Sequence, residues 1–148
     1  MASFISSARW PRTLAFMSRT ELLIHQICRF SVGGIWLYQG LVPKILGPHA
    51  DEIAMASAFG VPQEFQVALS RTIGAGEVAF GLLLIALHSQ AWPQWLSAIA
   101  TAVLLAFVAF YVPTYLTAPF NPVVMNLASI ALSAIAILVL QKWAKNEG

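Results

Sequence analysis

The chain has 148 residues, 59% of them hydrophobic and 9% charged, with a formal net charge of +2. Soluble domains carry roughly 25% charged residues, so this composition excludes an ordinary soluble protein and points to a one-domain integral membrane protein. The single cysteine, Cys28, excludes a disulfide framework or a cysteine metal site within one chain.

Residues 1–21 hold Arg9, Arg12 and Arg19, four serines and no acid before Glu21. They read as a basic tail on the cytoplasmic side, although an Arg- and Ser-rich, acid-poor segment also suits a mitochondrial transit peptide. A first membrane span is expected over residues 22–42, which would be roughly 32 Å of helix and would stop at Pro43. It carries one charge, Arg29, at a depth where an arginine costs roughly 2.5 to 3.5 kcal/mol and calls for a partner or a wet cavity. His25, Arg29, Gly33, Trp36 and Gly40 recur at spacings of four, four, three and four, so they share one face. The glycines and Trp36 also fit plain close packing of a neighbouring helix.

A long loop, residues 43–64, holds Lys44, Asp51, Glu52 and Glu64 and is more acidic than the segment before the first span. Lys/Arg bias therefore places it outside. Asp51 to Phe59 has the pattern of a short helix at the outer surface, closed by a Gly60-Val61-Pro62 turn. The second span is expected over residues 65–87, with Ser70, Gly74, Glu77, Gly81, Leu84 and His88 on one face. Arg71 lies about 120° around the helix from Glu77 and snorkels outward. Trp92 and Trp95 stand where interfacial aromatics belong.

The third span, residues 94–116, has no charge and is bent or ended by Pro113. Asn121 is placed to cap the fourth helix and Pro122 to occupy its first turn. The fourth span, residues 122–141, carries a polar stripe of Asn126, Ser129 and Ser133, and residues 142–148 form a short basic tail. Four spans and basic ends give one architecture: an all-α, integral membrane four-helix antiparallel bundle with both termini cytoplasmic. No strand precedes Gly74-Ala75-Gly76, so it is no nucleotide fingerprint, and the few basic residues give nucleic-acid binding no support. Metal binding is not expected, because His88 and Glu77 are roughly 16 Å apart along their helix.

Arg29, Trp36 with Gly40 to Lys44, the loop residues His49 and Glu52, and Gly60-Val61-Pro62 occur in an order that resembles the DoxX-like membrane proteins. The resemblance continues through Gly76-Glu77, Gly81-Leu82, and Pro119-Phe120-Asn121-Pro122 before Asn126-Leu127, and covers roughly residues 25 to 140. It implies a small four-helix protein of a prokaryotic inner membrane, some of whose relatives look like membrane subunits of thiosulfate- or quinol-linked oxidoreductases. The chain has no haem ligand pair, flavin motif or redox cysteine pair, so an enzymatic reading needs a partner subunit or a bound quinone.

Three function classes follow. The first is a membrane or accessory subunit of a quinone- or thiol/sulfur-linked redox system, with a ligand near Trp36, Tyr38, Gln39, Arg71 and Glu77. Trp36, Tyr38 and Gln39 are equally placed to be interfacial anchors. The second is a small transporter or proton conduit using Arg29 and Glu77, and the third is a non-catalytic scaffold whose buried polar groups fix helix packing; the partners implied are the lipid bilayer and a redox subunit or a homo-oligomer. Within the bundle Arg29 is expected to pair with Glu77, directly or through Asn126 or a water; the alternative has Arg29 snorkelling and Glu77 protonated.

Overall fold

The structure is a computed structural model that describes residues 18–117 and 122–144, and every described element is helical. The elements are α1 (Arg19–Gly40), a π-helical turn (Leu41–Ile45), α2 (Ala50–Ala58), α3 (Gln63–Ala86), α4 (Trp92–Tyr111), a 3₁₀ turn (Pro113–Thr117) and α5 (Pro122–Ala144). Three of them, α3, α4 and α5, are long and apolar enough to cross a membrane. α1 is 22 residues long but is not among these three; His25, Gln26, Arg29 and Gln39 dilute its apolar character.

α1 begins at Arg19, three residues before the expected span. Ser18 Oγ accepts from the Glu21 N–H at 3.2 Å while Glu21 Oε2 accepts from the Ser18 N–H at 3.0 Å, a reciprocal capping box that satisfies two end donors. Its other end corrects the expected stop at Pro43. The chain widens after Gly40 and runs on through Pro43 as a π turn, with the Leu46 N–H donating to the Leu41 carbonyl at 2.9 Å. A wider turn removes the clash between a proline ring and the carbonyl four residues back, so the helix passes the proline instead of ending.

The short outer helix forms as expected. His49 caps α2 and Asp51 and Glu52 occupy its first turn, where the helix dipole favours acids. At its end Gly60 takes φ +85°, the Gly60 N–H bonds the Ser57 carbonyl and the Val61 N–H bonds the Ala56 carbonyl. Those two bonds make a Schellman stop, which needs a residue without a side chain at the left-handed position. Pro113 ends α4 shortly after Tyr111, and Pro122 opens α5. Asn121, the expected cap, lies outside the described residues.

α1 packs on both α3 and α5, α4 packs on α5, and α2 lies against α3 and α4. A Cβ on Gly33 would come within 3.2 Å of the Gly81 carbonyl oxygen, and one on Gly40 within 2.4 Å of the Gly74 carbonyl oxygen. The descending register, 33 with 81 and 40 with 74, makes α1 and α3 antiparallel, with their backbones touching along both glycine pairs. Gln39 with Met125, and Glu21 with Lys142, give α1 and α5 the same relation.

The interior is polar for its size. His25, Lys44, Gln66, Ser70, Glu77, Gln94, Ser97, Thr101, Ser129 and Ser133 are buried, while Leu23, Ile27, Phe30, Ile99, Val103, Phe110, Val124 and Leu138 are exposed. Water would penalise so much outward apolar surface and a bilayer would not, so the distribution fits a multi-pass membrane protein.

Candidate functional site

The π turn decides where Lys44 goes. Its Cβ would lie 2.7 Å from a Cβ on Gly74, so the lysine stem enters the groove that the Gly40–Gly74 contact creates between α1 and α3. Lys44 Nζ there meets Glu77 Oε2 of α3 at 3.0 Å and Glu52 Oε1 of α2 at 3.3 Å. The three side chains are 11, 9 and 16% exposed. The Glu77 contact is an ion pair that falls short of an aligned hydrogen bond. One ammonium thus holds two carboxylates from different helices, and with all three ionised the cluster carries one net negative charge.

This overturns the expected Arg29–Glu77 pair. Glu77 takes Lys44, which the π turn brings to it, whereas the Arg29 guanidinium carbon sits 4.6 Å from the centre of the Phe30 ring and Arg29 Nε has no hydrogen-bond partner. Asn126 is half-buried on α5 and bridges neither group. Lys44 and Glu52 were the residues missed. The signal lay in the spacing, since Lys44 follows Trp36 and Gly40 by steps of four on the face already identified; reading Pro43 as a terminator hid it.

The remaining expected site residues do not converge. Trp36 Nε1–H donates to Ser97 Oγ at 2.9 Å, Ser133 Oγ lies 3.5 Å from the same oxygen, and the indole meets Phe80 edge-on at 5.0 Å. Gln39 Nε2 approaches Met125 Sδ at 3.4 Å. Tyr38 is 61% exposed and Arg71 is also exposed, so both face away from Glu77. Of the seven residues, Trp36 and Glu77 are buried, Arg29, Gln39 and Asn126 are half-buried, Tyr38 and Arg71 are exposed, and only Glu77 joins a charged cluster.

At the opposite end of α1, His25 Nε2 lies 2.7 Å from the His88 carbonyl oxygen. A carbonyl only accepts, so Nε2 carries the proton. Above the charged cluster, α2 is tied down at several points. Tyr115 O–H donates to Asp51 Oδ1 at 3.0 Å, Gln66 Nε2 donates to Ser57 Oγ and to the Val61 carbonyl, both at 2.9 Å, and Phe59 packs against Phe107 and Tyr111. α2 therefore covers the Lys44–Glu77 pair and supplies its second carboxylate.

No curated protein and no solved structure gives a significant match to this chain. The sequence model of the DoxX-like family matches residues 33–134, a stretch that contains Trp36, Gly40, Lys44, Glu52, Gly74, Glu77 and Gly81 and therefore the whole charged cluster and the helix contact that shapes it. The chain belongs to the DoxX-like family.

Proposed function

We propose that this protein is a membrane subunit of a redox system and that the Lys44–Glu77–Glu52 cluster receives the polar head of a lipid-soluble carrier of the quinone class. The observation that carries this reading is the sharing of one buried ammonium between two carboxylates. A quinone carbonyl needs a donor, which Lys44 supplies, and a quinol hydroxyl needs an acceptor for its proton, which Glu77 supplies at the same point. Buried donor and acceptor side chains in an apolar surround are the composition such a ligand requires. Electron transfer itself belongs to a partner subunit, as the chain has one cysteine and it is buried.

The same reading sets the protein in the inner membrane as a four-span antiparallel bundle, α1 included, with both termini cytoplasmic. Arg9 and Arg12 before α1 and Arg19 at its first position, against Lys44 after it, support that orientation. The test is mass spectrometry of the gently solubilised protein together with quinone binding to Lys44→Met and Glu77→Gln. A lipophilic carbonyl ligand that is retained by the native chain and lost in both variants is expected; ligand retained equally in both would refute the site.

A conduit for protons is the second reading, favoured by one observation: the net negative cluster can take up a proton within the bundle. Proton flux in proteoliposomes that is abolished by Glu77→Gln, with no quinone bound, selects it.

A further inference from the structure

No acid among the described residues pairs with Arg29. Among the described residues each acid within reach is taken or remote: Glu21 holds Ser18 and Lys142, Glu52 and Glu77 share Lys44, Asp51 meets His49 and Tyr115, and Glu64 stands in the first turn of α3 at the far end of α1. Its Nε makes no hydrogen bond, and its guanidinium rests against Phe30, which is 51% exposed. Leu23, Ile24 and Ile27 are exposed around it, 57, 38 and 62% respectively, so the guanidinium sits at the edge of an apolar outward face.

Its height on that face is also fixed. Glu21 pairs with Lys142, whose side chain is 70% exposed, and this pair marks the wet end of the bundle. Arg29 lies eight residues further along α1, about 12 Å by helical rise. Helical side chains lean toward the N-terminus, so a long arginine here reaches back toward the level of Glu21 and Lys142. In a bilayer that level is occupied by lipid headgroups.

We infer that Arg29 is a binding site for the phosphate of an anionic phospholipid, in the leaflet on the side of the Glu21–Lys142 pair, with acyl chains against Leu23, Ile27 and Phe30. Nε is buried, so the guanidinium offers its two Nη groups as a fork that matches two phosphate oxygens, which a lysine cannot reproduce. The site is separate from the Lys44–Glu77 cluster at the other end of α1, and it stands whether or not that cluster binds a redox carrier.

The test uses the full chain in nanodiscs and in detergent, with phosphatidylglycerol as the anionic probe and phosphatidylcholine as the neutral one. Native mass spectrometry should show phosphatidylglycerol retained about tenfold more by the wild type than by Arg29→Met, the loss expected for one charge-assisted pair. Arg29→Lys, which keeps the charge and guards against a misfolded Arg29→Met, should retain an intermediate amount, and Arg71→Gln should behave as wild type. Equal retention of both lipids, no change in Arg29→Met, or the same thermal stabilisation by inorganic phosphate as by phosphatidylglycerol would overturn the inference.

Discussion

Removing Lys44 tests the charged cluster most directly. In Lys44→Met the carboxylates of Glu52 and Glu77 lose the ammonium at 3.3 and 3.0 Å, while the flexible methionine stem still fills the groove beside Gly74. At an effective dielectric of about 20 each contact corresponds to roughly 5 kcal/mol of Coulomb attraction, and ion desolvation offsets much of that. The net loss expected for breaking a buried pair is about 3 to 5 kcal/mol, or roughly 10 °C in melting temperature for a chain of this size. Glu77→Gln should cost less, because Lys44 keeps Glu52. The double variant Lys44→Met, Glu77→Gln should be more stable than the sum of the single losses predicts. Thermal unfolding in detergent reads all four proteins of the cycle. Additive losses would refute the pair, and coupling between Arg29→Met and Glu77→Gln of the same size would restore the partner that the sequence suggested.

Gly74→Val should destabilise by about 1 to 3 kcal/mol or more, as overpacking does, because even a Cβ there would lie 2.6 Å from the Gly40 carbonyl oxygen; Gly34→Ala, where a Cβ meets nothing within 4 Å, serves as the tolerated control in the same melt. Glu21, at the mouth of α1, is held down to about 2 chiefly by its hydrogen bond from Lys142, then by Ser18. A depressed carboxylate stabilises the fold above its ordinary range, and that contribution is lost as pH falls from about 4.5 toward about 2; melting curves over that window should flatten in Lys142→Ala and at high salt. A cysteine at Asp51 should react with membrane-impermeant thiol reagents from outside and one at Lys145 should not; the reverse pattern would invert the proposed orientation.

Periodicity made the helix faces legible. The face drawn through Ser70, Gly74, Glu77, Gly81 and Leu84 is buried in the structure, and so are His25, Gly33, Trp36 and Gly40 on α1. A small residue every three or four positions lets two backbones touch, and that demand is written in local spacing. The charge partner was not legible in the same way. Arg29 and Glu77 each lie beside glycines, which suggested a pair, but the outcome depended on whether Pro43 ends a helix or widens it. That choice depends on a backbone turn with no side-chain signature, and it moves Lys44 from a loop into the groove. The pocket expected around Trp36, Tyr38 and Gln39 failed for a simpler reason. Helical residues two positions apart point about 200° from each other, so Tyr38 faces outward when Trp36 faces Ser97.

The weaker apolarity of α1 follows from its place in the bundle. It touches α3 through paired glycines, α5 along its length and α4 through the Trp36–Ser97 bond, so three helices face it. A helix so placed can carry His25, Gln39 and, one turn beyond its end, Lys44, because the His88 carbonyl in the turn after α3, Met125 of α5 and Glu77 of α3 meet them. Arg29 breaks that pattern. It is half-buried with its Nε unpartnered, its guanidinium rests on Phe30, and the described residues of the neighbouring helices supply it no acid. Packing therefore accounts for the inward polar groups of this helix that have found a partner, and among the described residues it leaves Arg29 without one.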